Sequence, residues 1–129
     1  MKVADLMKTK LALVNEDVSV AEAIVSLADA RVHGVPVVNR RGRLVGVLSS
    51  SDILQTAAEG EGERRFAELQ VRDIMTTPPQ TVGPNEDVKK AAEQMLELDV
   101  HRLFVENDGE LVGVIAQSDI VRAIATGRL

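Results

Sequence analysis

The chain has 129 residues, enough for one compact unit or two very small ones. Fifteen Lys and Arg against 20 Asp and Glu leave a net charge of -5, which argues against nucleic-acid or acidic-membrane binding driven by overall charge. No run approaches about 18 apolar residues, so no membrane span is expected, and the lack of cysteine excludes disulfides, thiolate metal sites and a cysteine nucleophile, as suits a cytoplasmic protein.

In chain order, Leu13 and Val14 predict a brief strand. Val20, Ala23, Ile24 and Leu27 fall at i, i+3, i+4 and i+7, the spacing of an amphipathic helix. Val35 to Val38 and Leu44 to Leu48, joined by a turn containing Gly42, predict a hairpin. Ser51 and Asp52 open a further helix as cap and first-turn residues. Glu59 to Gln70 begins EGEGE and reads as a polar linker. The same order then returns: a short strand at Thr81 and Val82, a helix carrying Val88, Ala91, Ala92 and Met95, a hairpin from Leu103 to Val105 and Leu111 to Ile115, and a last helix from Ser118 and Asp119.

The return is an internal repeat. VADLMKT at 3–9 matches VRDIMTT at 71–77, SVAEA at 19–23 matches DVKKA at 87–91, and VHGVPVVN at 32–39 matches VHRLFVEN at 100–107, all at an offset of 68. After one extra residue in the first hairpin turn, LVGVLSSSDI at 44–53 matches LVGVIAQSDI at 111–120. The reading is therefore repeat 1 over 1–58, a linker over 59–70 and repeat 2 over 71–129, each β-α-β-β-α. One such sheet has a single apolar face and builds little core. Two repeats packed sheet to sheet, with a pseudo-two-fold axis, solve that problem and give an α/β (α+β) fold.

The residues DLM and DIM, HGVPVV and HRLFVE, GRLVGV and GELVGV, and SSSD and AQSD resemble a tandem of cystathionine β-synthase (CBS) domains, a Bateman module. The resemblance covers nearly the whole chain. It implies two clefts that often hold adenine nucleotides, and modules that commonly pair into a flat dimeric disk.

In nucleotide-binding members the last strand runs into Gly-h-x-Thr/Ser-x-x-Asp. The first copy matches from Gly46 through Ser49 to Asp52, the second from Gly113 through Ala116 to Asp119. A carboxylate at a helix start accepts hydrogen bonds from both ribose hydroxyls. The hydroxyl three residues earlier and the helix N-terminal N–H groups suit a phosphate. Plain helix capping by Ser51-Asp52 and Ser118-Asp119 stays open beside this reading. The two histidines, His33 and His101, are equivalent repeat positions and make no metal site. His101-Arg102 is similar to the nucleotide-sensing γ subunits of AMP-activated protein kinase, where such a pair reaches the phosphate of a nucleotide whose ribose sits on the other repeat's Asp. The planar fork of Arg suits that contact.

The resemblance thus implies a first cleft of Val47, Ser49, Asp52, Pro79, Gln80, Val100, His101 and Arg102. A second, weaker cleft would use Leu11, Ala12, Val32, His33, Val114 and Asp119. Ala116 and Gly34 leave the second without the hydroxyl and the arginine. A charge-assisted hydrogen bond is worth about 1.5–3 kcal/mol, so each loss weakens binding tenfold or more.

The function expected is a non-catalytic regulatory module that binds AMP, ADP or ATP, or else S-adenosylmethionine or NAD(H), needs no cofactor, and signals to a partner by conformational shift. No nucleophile–base pair marks an enzyme. A homodimer is expected from the apolar helix faces in DILQTAAEG and IVRAIATGRL. Phe66 and Phe104 are the only aromatic residues, too few for a nucleic-acid stacking platform. The alternative is a structural or dimerisation module with no small ligand.

Overall fold

The computed structural model describes residues 1–30, 33–60 and 63–129. Its elements are α1 (Val3–Leu6), β1 (Val14–Asn15), α2 (Val20–Ala30), β2 (Gly34–Val38), β3 (Leu44–Ser49), α3 (Ser50–Glu59), α4 (Glu63–Glu68), α5 (Val71–Ile74), β4 (Thr81–Val82), α6 (Val88–Leu98), β5 (Arg102–Asn107), β6 (Glu110–Ala116) and α7 (Gln117–Ala125). The expected β-α-β-β-α order occurs twice, in two three-stranded sheets ordered β1-β2-β3 and β4-β5-β6. In each, the middle strand runs parallel to the first and antiparallel to the third. The mixed α+β class expected from the repeat is the class observed.

Local chemistry explains the elements. On α6, Val88, Ala91 and Met95 are buried, while Asp87 caps the start by accepting the Lys89 N–H at 2.8 Å. The helix closes at Asp99 in the left-handed region, φ 53°. Pro36 lies inside the central strand β2, where a missing N–H is normally costly. Its counterpart Phe104 donates its N–H to the Gln80 carbonyl at 3.4 Å. Pro36 has no N–H to give, and β1 accordingly pairs with β2 only from Val37 onward, whereas β4 already pairs at Phe104. The segment read as a polar linker contains a helix, α4, which packs against α2 and half-buries Phe66.

The chain divides into two units that do not follow the repeats in sequence. One, the Asp52 unit, is Ala12–Pro79; the other, the Asp119 unit, joins Met1–Leu11 to Gln80–Leu129. The opening segment of the first repeat, Met1–Leu11, therefore packs with the strands and helices of the second. In the Asp119 unit, Val3 and Ala4 donate to the carbonyls of Glu86 and Pro84, and Val88 donates to Met1, each at 2.9 Å. In the Asp52 unit, Val71 and Arg72 donate to Val18 and Glu16, and Val20 donates to Leu69, at 2.8–3.0 Å. These bonds match residue for residue at the repeat offset.

The DLM and DIM motifs now have a physical account. Asp5 and Asp73 accept the N–H groups of Lys2 and Gln70 at 2.8 and 2.9 Å, holding the starts of α1 and α5. Val3 and Val71 are fully buried, each worth about 1.5–3 kcal/mol by area. Val3 joins a cluster with Val82, Met95, Leu103, Val105 and Ile115; Val71 joins one with Val14, Leu27, Val35, Val37 and Leu48. Beyond each short helix a methionine crosses a glycine. A Cβ on Gly46 would lie 2.8 Å from Met75 Sδ and 2.9 Å from the Thr76 carbonyl, and one on Gly113 would lie 2.8 Å from both Met7 Sδ and the Lys8 carbonyl. Glycine at these two positions lets the returning chain reach the sheet.

Candidate ligand-binding site

That close approach positions the groups around Asp52 and Asp119. In the Asp52 unit, Val47 and Thr76 exchange two backbone hydrogen bonds at 3.0 and 2.8 Å. Strand β3 then turns into α3 at Ser49, which caps it by accepting the Asp52 N–H at 3.2 Å. Asp52 is half-buried. Its Oδ2 accepts from the Ser49 N–H and from the Ser49 hydroxyl, both at 2.9 Å. Its Oδ1 accepts the Thr76 hydroxyl at 2.9 Å. Helix capping is thus present as a reciprocal cap of Ser49 and Asp52, and the cap is Ser49 rather than the Ser51 expected from sequence, because β3 gives way to helix one residue earlier.

The Asp119 unit repeats the backbone and changes the side chains. Val114 and Lys8 exchange two backbone bonds at 2.9 and 2.8 Å. Ala116 occupies the cap position and offers no side-chain hydrogen bond, but its N–H donates to Asp119 Oδ2 at 2.8 Å. The Asp119 side chain is only 4% exposed, with Lys8 Nζ at 3.7 Å and Arg122 Nη1 at 3.6 Å from Oδ1.

The remaining candidates fall as follows. The Asp52 unit carries Val47, Ser49, Asp52 and Pro79 of the first set and Ala12 and His33 of the second. The Asp119 unit carries Gln80, Val100, His101 and Arg102 of the first set and Leu11, Val114 and Asp119 of the second. Val32 lies outside the described residues. Both histidines are exposed, and their equivalence is explained by the main chain. The His33 carbonyl accepts the Ser50 N–H at 2.7 Å, and the His101 carbonyl accepts the Gln117 N–H at 2.8 Å. The Val100 carbonyl accepts Gln117 Nε2 at 3.2 Å. Arg102 opens β5 half-buried, its guanidinium carbon 5.4 Å from the centre of the Phe104 ring. Burial draws its pKa below the usual arginine value, yet the group stays protonated at neutral pH.

Sequence reading missed Thr76, Lys8 and Arg122. Thr76 and Lys8 each follow the methionine of the DIM or DLM motif, at equivalent positions, and that shared place was the signal available. Among the described residues, no group of three or more His, Cys, Asp or Glu side chains could hold a metal ion, and no helix is long and apolar enough to cross a membrane.

Two β-α-β-β units, each ending in a helix with a carboxylate in its first turn, define a protein built from a pair of like domains. The chain belongs to the CBS domain family, whose model matches residues 3–59 and 71–126. It is 31% identical to the CBS domain-containing protein YhcV of Bacillus subtilis, over 92% of this chain and 81% of YhcV. A crystal structure of CBSX2 in complex with AMP is similar at a TM-score of 0.84 and 30% identity, over 99% of this chain and 98% of that one. The A-adding tRNA nucleotidyltransferase of Aquifex aeolicus is 28% identical over 96% of this chain, which spans 14% of that protein's length.

Proposed function

We propose that the chain is a non-catalytic regulatory module that binds an adenosine-containing ligand, with AMP, ADP or ATP favoured, and signals to a partner protein by a shift between two states. The observation that carries this reading is the pair of equivalent carboxylates, Asp52 and Asp119, each held by the N–H of its cap residue in the first turn of a helix. A carboxylate fixed in this way accepts the two hydroxyls of a ribose. The AMP held by CBSX2, 30% identical over almost the whole chain, supports the ligand class.

In the Asp52 unit the Ser49 hydroxyl turns from Asp52 to a phosphate oxygen, beside the N–H groups that open α3. The role of Arg102 at the phosphate rests on the family resemblance. Binding shifts the population toward the state with higher ligand affinity, by no more than that difference in affinity. A ligand that binds only the folded state raises its apparent stability. A thermal-shift panel of AMP, ADP, ATP, S-adenosylmethionine, NAD(H) and guanosine nucleotides should therefore raise the melting temperature for adenosine compounds alone. A flat panel would contradict the reading.

A second observation favours a homodimer: Leu54 on α3 and Val121 and Ile124 on α7 are 56–69% exposed, on the helices expected to supply the interface. Light scattering at tens of micromolar should give twice the chain mass, and a monomer would contradict it.

A further inference from the structure

The two carboxylates occupy equivalent positions in unlike surroundings. Among the described residues every donor to Asp52 is neutral: the Ser49 N–H and hydroxyl on Oδ2, and the Thr76 hydroxyl on Oδ1. Asp119 Oδ2 takes one N–H, while Oδ1 faces the two cations of Lys8 and Arg122 at 3.7 and 3.6 Å. Those distances permit ion pairing and are too long for hydrogen bonds. The Lys8 and Arg122 side chains are 61% and 64% exposed, so either can move to a ligand without leaving a packed position. Their counterparts in the other repeat are Thr76 and Gln55, both uncharged. The Asp119 cluster therefore carries a surplus positive charge, and the Asp52 cluster a surplus negative one.

We propose that the Asp119 site takes a phosphorylated nucleoside more tightly than the Asp52 site does, with Lys8 as the residue that meets the phosphate. The proposal rests on the ribose reading given above. A ribose hydroxyl reaching Asp52 Oδ1 shares that oxygen with the Thr76 hydroxyl, whereas Asp119 Oδ1 accepts no hydrogen bond among the described residues. Lys8 gives up one long ion pair in turning to the phosphate, and Asp119 keeps Arg122 at 3.6 Å and the Ala116 N–H at 2.8 Å. Its ammonium is a mobile point charge on a flexible stem, suited to following an anion. Beside Asp119 lies a groove of about 310 Å³ lined by Asp5, Leu6, Arg122, Ala123, Thr126 and Arg128. Arg128 thus brings a third cation to the neighbourhood and Asp5 a second carboxylate, which leaves the surplus positive. Lys8 supplies the phosphate donor that Ala116 and Gly34 do not, which reverses the ranking of the two sites expected from the motifs.

The test is a calorimetric titration of AMP and of adenosine into the full chain carrying Asp52→Ala, so that the Asp119 site reports, with and without Lys8→Thr. Threonine is the counterpart residue, and it retains the backbone bonds to Val114. Loss of a charge-assisted contact should weaken AMP tenfold or more and leave adenosine within about twofold, and Lys8→Arg should restore AMP. Unchanged AMP affinity in Lys8→Thr, equal weakening of AMP and adenosine, or loss of all binding on Asp52→Ala would overturn the proposal. A wild-type chain that binds neither AMP nor adenosine would instead overturn the ribose reading, and the proposal with it.

Discussion

The Asp52 and Asp119 units share a backbone plan to the level of single hydrogen bonds. In each, a short capped helix delivers a methionine onto a glycine, and the next residue pairs with the strand that leads into the last helix. They part company at a few side chains: Ser49 against Ala116 at the cap, Thr76 against Lys8 at the bridge, and Gln55 against Arg122 one turn into the helix. The scaffold therefore fixes where a carboxylate stands, and the neighbours decide what it can hold. A repeat keeps its backbone because glycine, valine and aspartate positions are constrained by contact. Its exposed neighbours are under no such constraint and are where two sites can diverge.

The comparison breaks most visibly if the shared scaffold is not shared in energy. Gly46→Ala and Gly113→Ala each place a methyl against a backbone carbonyl, which cannot rotate away. Each should cost about 1–3 kcal/mol in urea denaturation, as overpacking does. A full effect in one unit and none in the other would show that the two returns are not equivalent.

A smaller effect sharpens the difference at the caps. Ser49→Ala should lose about 1 kcal/mol, the usual worth of a serine cap. Ala116→Ser should add a side-chain acceptor for the Asp119 N–H and gain a similar or smaller amount, up to about 1 kcal/mol. Thermal unfolding checks both, and the expected signs are opposite.

The smallest effect concerns acid. Lys90 Nζ lies 3.0 Å from Glu86 Oε1, and the Gly83 N–H donates to Oε2 at 3.1 Å. The Lys90 contact first, then the Gly83 N–H, holds the Glu86 carboxyl below its ordinary pKa. A depressed carboxyl stabilises the fold above its unfolded-state pKa, and that contribution disappears as pH falls through the folded value. Glu86→Gln should therefore lower the melting temperature slightly at neutral pH and flatten its fall on acidification below the ordinary glutamate range. The counterpart in the other repeat is Val18, so the effect belongs to the Asp119 unit alone. An unchanged acid slope would contradict it.

The sequence made the elements legible because two copies disclose their own boundaries; α3 and α7 begin only one residue before the expected Ser51 and Ser118. It placed Asp52 and Asp119 in the first turns of helices, since cap chemistry is local, and took Ser51 for the cap that Ser49 supplies. The residence of 1–11 with 80–129 was not legible. An apolar pattern tells which face of VADLM is buried and not which strand buries it. The same blindness hid Thr76 and Lys8, which reach their carboxylates only through that packing. The helix α4 was obscured by the glycines and glutamates that open its segment, whose turn signal outweighed the few residues of ERRFAE.

The central claim is that the two equivalent carboxylates are the ribose anchors of an adenosine ligand. Its most direct measurement is a calorimetric titration of AMP into the wild-type chain, Asp52→Asn, Asp119→Asn and the double variant. Asparagine keeps an oxygen for the capping N–H and removes the charge, so folding can be verified separately by circular dichroism. Each single variant should lose about tenfold or more at one site, and the double variant should show no saturable binding over the same range. A folded double variant that binds AMP as tightly as the wild-type chain would contradict the account.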